Sequence, residues 1–303
     1  MEQRVCDGRY EIQRKLGEGS QAEVFAGLDR QLMRQVAVKV YRKREGDEQN
    51  LAKEAQLLKE LQHPMLPALY DVSEEGCLIM EYLGGGNLRE YVERNGALDE
   101  KKAGELALAL LHCLCYIHGR TPMILYGDLK PDNVMLDGCG KWRLTDWGAA
   151  ARRSYDGTGI GRMGATAGYA APEVSGEDGS ASGLPEPASD LYSLGRVLYY
   201  AVTGADPALP PYGKLPARCY NPMLSRNFEK VLEKAVRMEV QERFQTAQEM
   251  QEELEKCRKN GWRTNRETRR KTGKFLYKIE KSVWLAQEKG ECTFYKDSCI
   301  ILQ

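Results

Sequence analysis

Apolar residues alternate with polar ones over the first eighty positions and then recur at helical spacing over most of the remainder. Ala22-Glu23-Val24-Phe25-Ala26 and Gln35-Val36-Ala37-Val38-Lys39-Val40 alternate as half-buried strands do, and Tyr10-Glu11-Ile12 leads into a glycine turn. Residues 48–61 change period, with Leu51, Ala55, Leu58 and Leu61 on a single helical stripe that Pro64 and Pro67 end. Residues 69–72 and 77–80 form a candidate strand pair across Ser73-Glu74-Glu75-Gly76. Gly84-Gly85-Gly86 reads as flexible punctuation, and Asn87 as the N-cap of a helix over 88–94. Further helices are expected over 103–118, 191–202, 228–238 and 246–257, the last capped by Thr246 with Glu249 three residues on. The pattern predicts an α+β protein of two lobes. A small antiparallel strand lobe with one helix joins a larger, mainly helical lobe near residues 84–86.

Composition removes several alternatives. The 303 residues carry 44 basic and 44 acidic side chains, so no global field points to nucleic acid or a membrane surface. Met1-Glu2-Gln3-Arg4-Val5-Cys6-Asp7 lacks the apolar core of a secretory signal. The longest apolar run, 106–117, contains His112 and falls short of the roughly 18 residues of a membrane span, so it reads as a buried helix. Nine cysteines include no Cys-x-x-Cys; Cys113 and Cys115 fall on different helix faces, and Cys292 and Cys299 are too isolated for a metal site. Reduced thiols and a cytoplasmic location are the expectation. Residues 263–274 hold six basic side chains against Glu267 and no aromatic, which ranks a solvated linker first, an anionic membrane or acidic partner second and nucleic acid last. Residues 275–303 are sparse in pattern but carry Phe275, Tyr277, Trp284, Phe294 and Tyr295, and no internal repeat is visible.

The candidate chemistry lies in Tyr126-Gly127-Asp128-Leu129-Lys130-Pro131-Asp132-Asn133 and, thirteen residues beyond the amide, Asp146-Trp147-Gly148. Phosphoryl transfer needs a carboxylate to orient a hydroxyl, a cation to balance the moving phosphoryl, and oxygen ligands for a hard metal ion. Both segments resemble the catalytic loop and metal-binding turn of a eukaryotic-type (Hanks-type) serine/threonine protein kinase of the bacterial kind.

That resemblance spans residues 8–258, with lobes at 8–82 and 83–258, and leaves 259–303 as an extension of open role. It implies that Asp128 and Lys130 act on the transferred group. Asn133 and Asp146 would hold magnesium, with manganese as a substitute. The turn Leu16-Gly17-Glu18-Gly19-Ser20-Gln21-Ala22-Glu23-Val24 would cover ATP, two glycines letting its backbone approach phosphate. Standing alone, such a turn is a common hairpin. Lys39 would touch the α- and β-phosphates, oriented by Glu54, with Glu48 and Glu60 as competing partners on the same helix. Leu16, Gly17, Gly19, Val24, Ala37, Met80, Glu81, Leu83 and Met135 complete the implied nucleotide site. Downstream, Gly164-Ala165-Thr166-Ala167-Gly168-Tyr169-Ala170-Ala171-Pro172-Glu173 resembles the family's substrate-docking segment. Glu173 would pair with Arg243, and Asp190 would hold the catalytic loop from below. Lys130 points to protein serine or threonine hydroxyls as acceptors. Neither nucleic acid nor a membrane span is expected, and the oligomeric state is open.

Three positions depart from the family pattern. Tyr126 stands for the usual histidine, Gly127 for the common arginine and Trp147 for the usual phenylalanine. The two aromatics suggest a matched repacking of an apolar column with Leu58 and a residue near Leu69. Gly127 removes the cation that usually receives an activation-loop phosphate, so phosphorylation at Ser154, Tyr155 or Thr158 loses its main anchor. Arg152, Arg153 and Arg162 are possible substitutes. The stretch 175–187 reads as a solvated surface loop. The departures also motivate a second reading, a pseudokinase scaffold that binds nucleotide or partners without turnover. A small-molecule phosphotransferase is disfavoured by Ala171-Pro172-Glu173 together with Arg243.

Overall fold

A computed structural model describes residues 5–19, 22–42, 47–153, 166–175, 185–209 and 215–262. Ser154, Tyr155, Thr158, Arg162, most of the 175–187 loop, the basic run and the aromatic segment lie outside the described residues.

The first lobe is a six-stranded antiparallel sheet in the order β1-β2-β3-β4-β6-β5, built from β1 (Val5–Cys6), β2 (Tyr10–Glu18), β3 (Ala22–Asp29), β4 (Arg34–Tyr41), β5 (Leu69–Val72) and β6 (Cys77–Glu81). Alternation along β4 gives the sheet two apolar faces. Tyr10, Val36, Val38, Cys77 and Ile79 pack together on one side, and Ala22, Tyr41, Ala55 and Leu78 on the other. The second face receives helix α1 (Asp47–Glu60), whose expected stripe is real: Ala55, Leu58 and Leu61 are buried. The pattern did not reveal β1, because two residues carry no period.

The larger lobe contains α2 (Leu88–Asn95), α3 (Glu100–His118), strand β7 (Met123–Leu125), β8 (Val134–Leu136), β9 (Trp142–Leu144) and β10 (Ala151–Arg153). It continues through α4 (Pro172–Ser175), α5 (Pro187–Thr203), α6 (Ala217–Tyr220), α7 (Arg226–Ala235) and α8 (Ala247–Lys259). α3 and α5 are buried on most sides and form the axis of one core with α7 and α8. The caps follow the sequence: Asn87, Asp99, Ser225 and Thr246 each accept a backbone N–H of the first helical turn. Buried Glu100 accepts both the N–H and the hydroxyl of Ser225, so the start of α3 is tied to the cap of α7. Several details differ from the pattern, since α3 begins at Glu100 rather than 103 and α5 at Pro187 rather than 191. α7 ends at Ala235 rather than 238, and the pairs β7–β10 and β8–β9 are three residues long, too short to carry a visible period.

The joint between lobes is not a loose hinge. Gly85 N–H donates to the Leu136 carbonyl at 3.0 Å, and Leu136 N–H returns a bond to Gly86 at 2.8 Å. A side chain at Gly85 would meet Leu136 Cβ at 2.6 Å, so glycine is required by close approach rather than by mobility. At the far end of the lobe the Trp262 ring lies on Gly104 of α3, where an added Cβ would sit 2.5 Å from it. Among the described residues no helix is long and apolar enough to cross a membrane.

Asp29 anchors the far end of the strand lobe. Its buried carboxylate accepts Arg9 Nε at 2.9 Å and Nη2 at 2.7 Å, plus the Gln31 and Leu32 N–H groups. The Arg9 hydrogen bonds outweigh burial and lower its pKa from 3.8 to about 2. Because the folded value is depressed, the stabilisation is complete above about 4 and is lost as pH falls through about 2. The shift corresponds to about 2 kcal/mol. Urea unfolding of wild type and Asp29→Asn is expected to show a gap of that order at neutral pH that closes on acidification.

Candidate active site

The cleft side of the sheet presents a row of residues set by strand register. Gly17 pairs with Val24, Val24 with Lys39 and Lys39 with Leu78, while Ala37 pairs with Met80. Val24, Ala37, Lys39, Leu78 and Met80 therefore share one face. Gly19 N–H donates to Ala22 O at 2.8 Å, which closes the glycine turn, and Leu16 stands exposed beside it. Leu83 is buried at the joint, Glu81 takes the Ala68 N–H and approaches Arg143 at 3.4 Å, and Met135 bridges to Asn87. Strand register thus sets Val24, Ala37, Lys39 and Met80 on one face of the sheet, with Glu81 and Leu83 at its junction with the larger lobe.

Lys39 is the charged centre of that cleft. Its Nζ donates to Glu54 Oε1 at 2.9 Å and Oε2 at 2.7 Å, and to Asp146 Oδ1 at 2.7 Å. Burial alone would depress the Lys39 pKa, but the charges of Glu54 and Asp146 more than offset it and drive it upward. Burial likewise pushes Asp146 up, and Lys39 reverses this, leaving the carboxyl below its ordinary value. Glu54 is the partner of Lys39; Glu60 instead pairs with Arg152 on β10. Asp146 sits at φ 58°, a left-handed conformation that an aspartate tolerates better than most residues.

The loop carrying Asp128, Lys130 and Asn133 runs between β7 and β8. Asp128 Oδ2 accepts Lys130 Nζ at 2.6 Å, and Oδ1 accepts the Thr166 hydroxyl at 2.7 Å. Asn133 Nδ2 donates to the Asp128 carbonyl at 2.8 Å. Thr145 N–H donates to Asn133 O at 2.9 Å, which pins the Asp146 turn to the loop carrying Asn133. A carboxylate and an amide carbonyl are hard oxygen donors, so the pair Asp146 and Asn133 suits magnesium or manganese chemically. The sheet, the loop and the metal turn meet through Lys39 and Asp146.

A model of the protein kinase domain matches residues 10–278 of the chain. The chain belongs to the protein kinase domain family. It is 30% identical over 266 residues to serine/threonine-protein kinase PrkC of Bacillus subtilis, an alignment covering 82% of this chain and 40% of that protein. It is 34% identical over 217 residues to serine/threonine-protein kinase PknL of Mycobacterium tuberculosis, covering 68% and 52%. PknB of the same species is 31% identical over 275 residues, covering 81% and 42%. The chain thus aligns with less than two thirds of the length of each of these bacterial relatives.

Within this kinase domain the three departures have local explanations. The Tyr126 and Trp147 rings meet edge to face with centroids 5.0 Å apart and lie in one core with Leu58 and, at its margin, Leu69. Their polar atoms are used as well: the Tyr126 hydroxyl donates to Thr145 O and Trp147 Nε1 to Leu144 O at 3.0 Å. Asp190 receives Tyr126 N–H on one oxygen and Gly127 N–H on the other, each at 2.9 Å, and His118 Nε2 lies 2.9 Å from it. Gly127 itself has φ 81°, so this position favours glycine on backbone grounds that sequence reasoning did not consider. Arg152 and Arg153, named as substitutes for the missing arginine, are engaged with Glu60 and Glu186.

Glu173 and Arg243 form the expected bidentate pair at 2.9 and 2.8 Å. Arg243 is fully buried and also donates to the Arg237 and Met238 carbonyls, while Ser189 donates to Glu173 at 2.7 Å. Burial raises the Glu173 pKa, yet Arg243 and Ser189 prevail and hold it low. Sequence reasoning missed Ser189, His118, Thr145 and Tyr41, whose hydroxyl donates to Glu54 Oε2. Tyr41 had a legible signal, since position i+2 of a strand shares the face of Lys39. Arg243→Met strands a buried carboxylate and is expected to cost about 3 kcal/mol in urea unfolding. Adding Glu173→Gln to that variant is expected to recover part of the loss.

Proposed function

We propose that this chain is an ATP-dependent protein kinase that phosphorylates serine or threonine hydroxyls, with residues 8–258 as its catalytic domain, divided into lobes at 8–82 and 83–258. The observation that carries the reading is the hydrogen-bonded set of Lys39 with Glu54 and Asp146, and of Asp128 with Lys130 and Asn133, joined through the Thr145 N–H on Asn133 O.

ATP would lie under the glycine turn, its adenine between Val24, Ala37 and Met135, with Leu16, Met80, Glu81 and Leu83 along the joint. Lys39, held by Glu54, would meet the α- and β-phosphates. Asp146 and the side-chain amide oxygen of Asn133 would hold the metal ion, which would supply charge neutralisation to the transferred phosphate. Asp128 would orient the acceptor hydroxyl. The Thr166 hydroxyl already donates to its Oδ1, which is the interaction an acceptor serine or threonine would make. Lys130, 2.6 Å from Asp128 and partly exposed, would balance the γ-phosphoryl in transit. Glu173 with Arg243 would fix the docking segment.

Activity is proposed not to require an activation-loop phosphate. Gly127 offers no cation, and Arg152 and Arg153 have acidic partners. Six of the seven described cysteines are free thiols, which supports a cytoplasmic location, whereas Cys219 is disulfide-bonded and departs from the expectation of reduced thiols. The scaffold reading is weaker because none of the three departures removes a side chain assigned to phosphate or metal.

Asp128→Asn tests the proposal. Metal-dependent transfer of phosphate from ATP to a general protein substrate is expected to fall by about a hundredfold or more. Equal rates for the two proteins overturn the enzyme reading and favour the scaffold.

A further inference from the structure

Tyr41 ends β4, two residues beyond Lys39, and so projects from the same face of the sheet. It is 7% exposed and packs with Ala22, Ala55 and Leu78. It stands opposite Ala22 in the β3–β4 register, directly under the strand that leaves the glycine turn. Its hydroxyl donates to Glu54 Oε2, the same oxygen that Lys39 approaches at 2.7 Å, and its ring centre lies 5.4 Å from Lys39 Nζ. Gly148 closes the other side, where an added Cβ would be 3.3 Å from Glu54 Oε2.

These contacts attach α1 to β4 at two points, the ammonium of Lys39 and the phenol of Tyr41. Both points lie inside the strand lobe. A carboxylate held only by one flexible lysine can swing with its helix. One held from two side chains of a single strand has far less freedom. Burial, with the Glu54 charge adding and the Lys39 charge opposing, pushes the Tyr41 pKa far above its ordinary value, so the phenol remains a donor throughout the physiological range.

We propose that Tyr41 is a positioning residue for phosphoryl transfer, its hydroxyl holding Glu54 on Lys39 so that α1 stays in place without an activation-loop phosphate. The inference rests on the kinase reading and names a residue which that reading does not use. Tyr41 is not among the residues assigned to nucleotide or acceptor. It acts through Glu54.

Tyr41→Phe keeps the ring against Ala22 and Leu78 and removes the hydroxyl. The KM for ATP is expected to rise about tenfold, the size of one hydrogen bond to a charged group, while the KM for the protein acceptor stays within about twofold. Amide hydrogen exchange across α1 is expected to quicken by a similar factor. A structural role alone would lower thermal stability and leave the two KM values in their original ratio. Wild-type values for both the ATP KM and α1 exchange in Tyr41→Phe overturn the inference. An inactive wild-type protein defeats the kinase reading instead; α1 exchange, which needs no turnover, then decides the role of Tyr41 by itself.

Discussion

The cleft depends on one buried cation. Removing a lysine ammonium from water costs several kcal/mol, and Lys39 is tolerable inside the protein because Glu54 and Asp146 both reach it at hydrogen-bond distance. Those two carboxylates come from separate parts of the chain. Glu54 belongs to the helix on the sheet, and Asp146 to the turn after β9. Satisfying Lys39 therefore fixes the helix, the sheet and the metal turn relative to one another. The nucleotide site proposed here is the space left above that arrangement.

A second frame holds the acceptor side. Asp190, buried at the start of α5, takes two successive backbone N–H groups of the catalytic loop, and the Tyr126–Trp147 contact links that loop to the metal turn. Changing both residues of such a pair preserves packing better than changing one. This is the physical reason the altered letters at 126 and 147 leave Asp128, Asn133 and Asp146 in register. Gly127 belongs to the same frame, because its left-handed backbone presents its N–H to Asp190.

Much of this was readable from the chain. Alternation at 22–26 and 35–40, the stripe from Leu51 to Leu61, and the Asn87 and Thr246 caps each led to the element observed, because local period and burial agree there. The set of charged site residues was legible because their spacing resembles a known family. What was not legible was tertiary. Nothing in the sequence says that Gly85 is pressed against Leu136 or that Trp262 lies on Gly104. Strands of two or three residues, such as β1 and β7, carry no period to detect. The role of Gly127 was read as the loss of a phosphate receptor, whereas its φ of 81° shows a backbone requirement as well.

Together these contacts describe a kinase domain whose Lys39–Glu54 pair is closed by the protein's own packing. The direct measurement is the rate of phosphate transfer by the full chain after phosphatase treatment, compared with the same protein phosphorylated to completion. The account predicts that the dephosphorylated protein retains more than about a tenth of the phosphorylated rate, since Gly127 offers no cation to anchor a phosphate and Glu54 is held by Lys39 and Tyr41. A dephosphorylated rate below that tenth would contradict it.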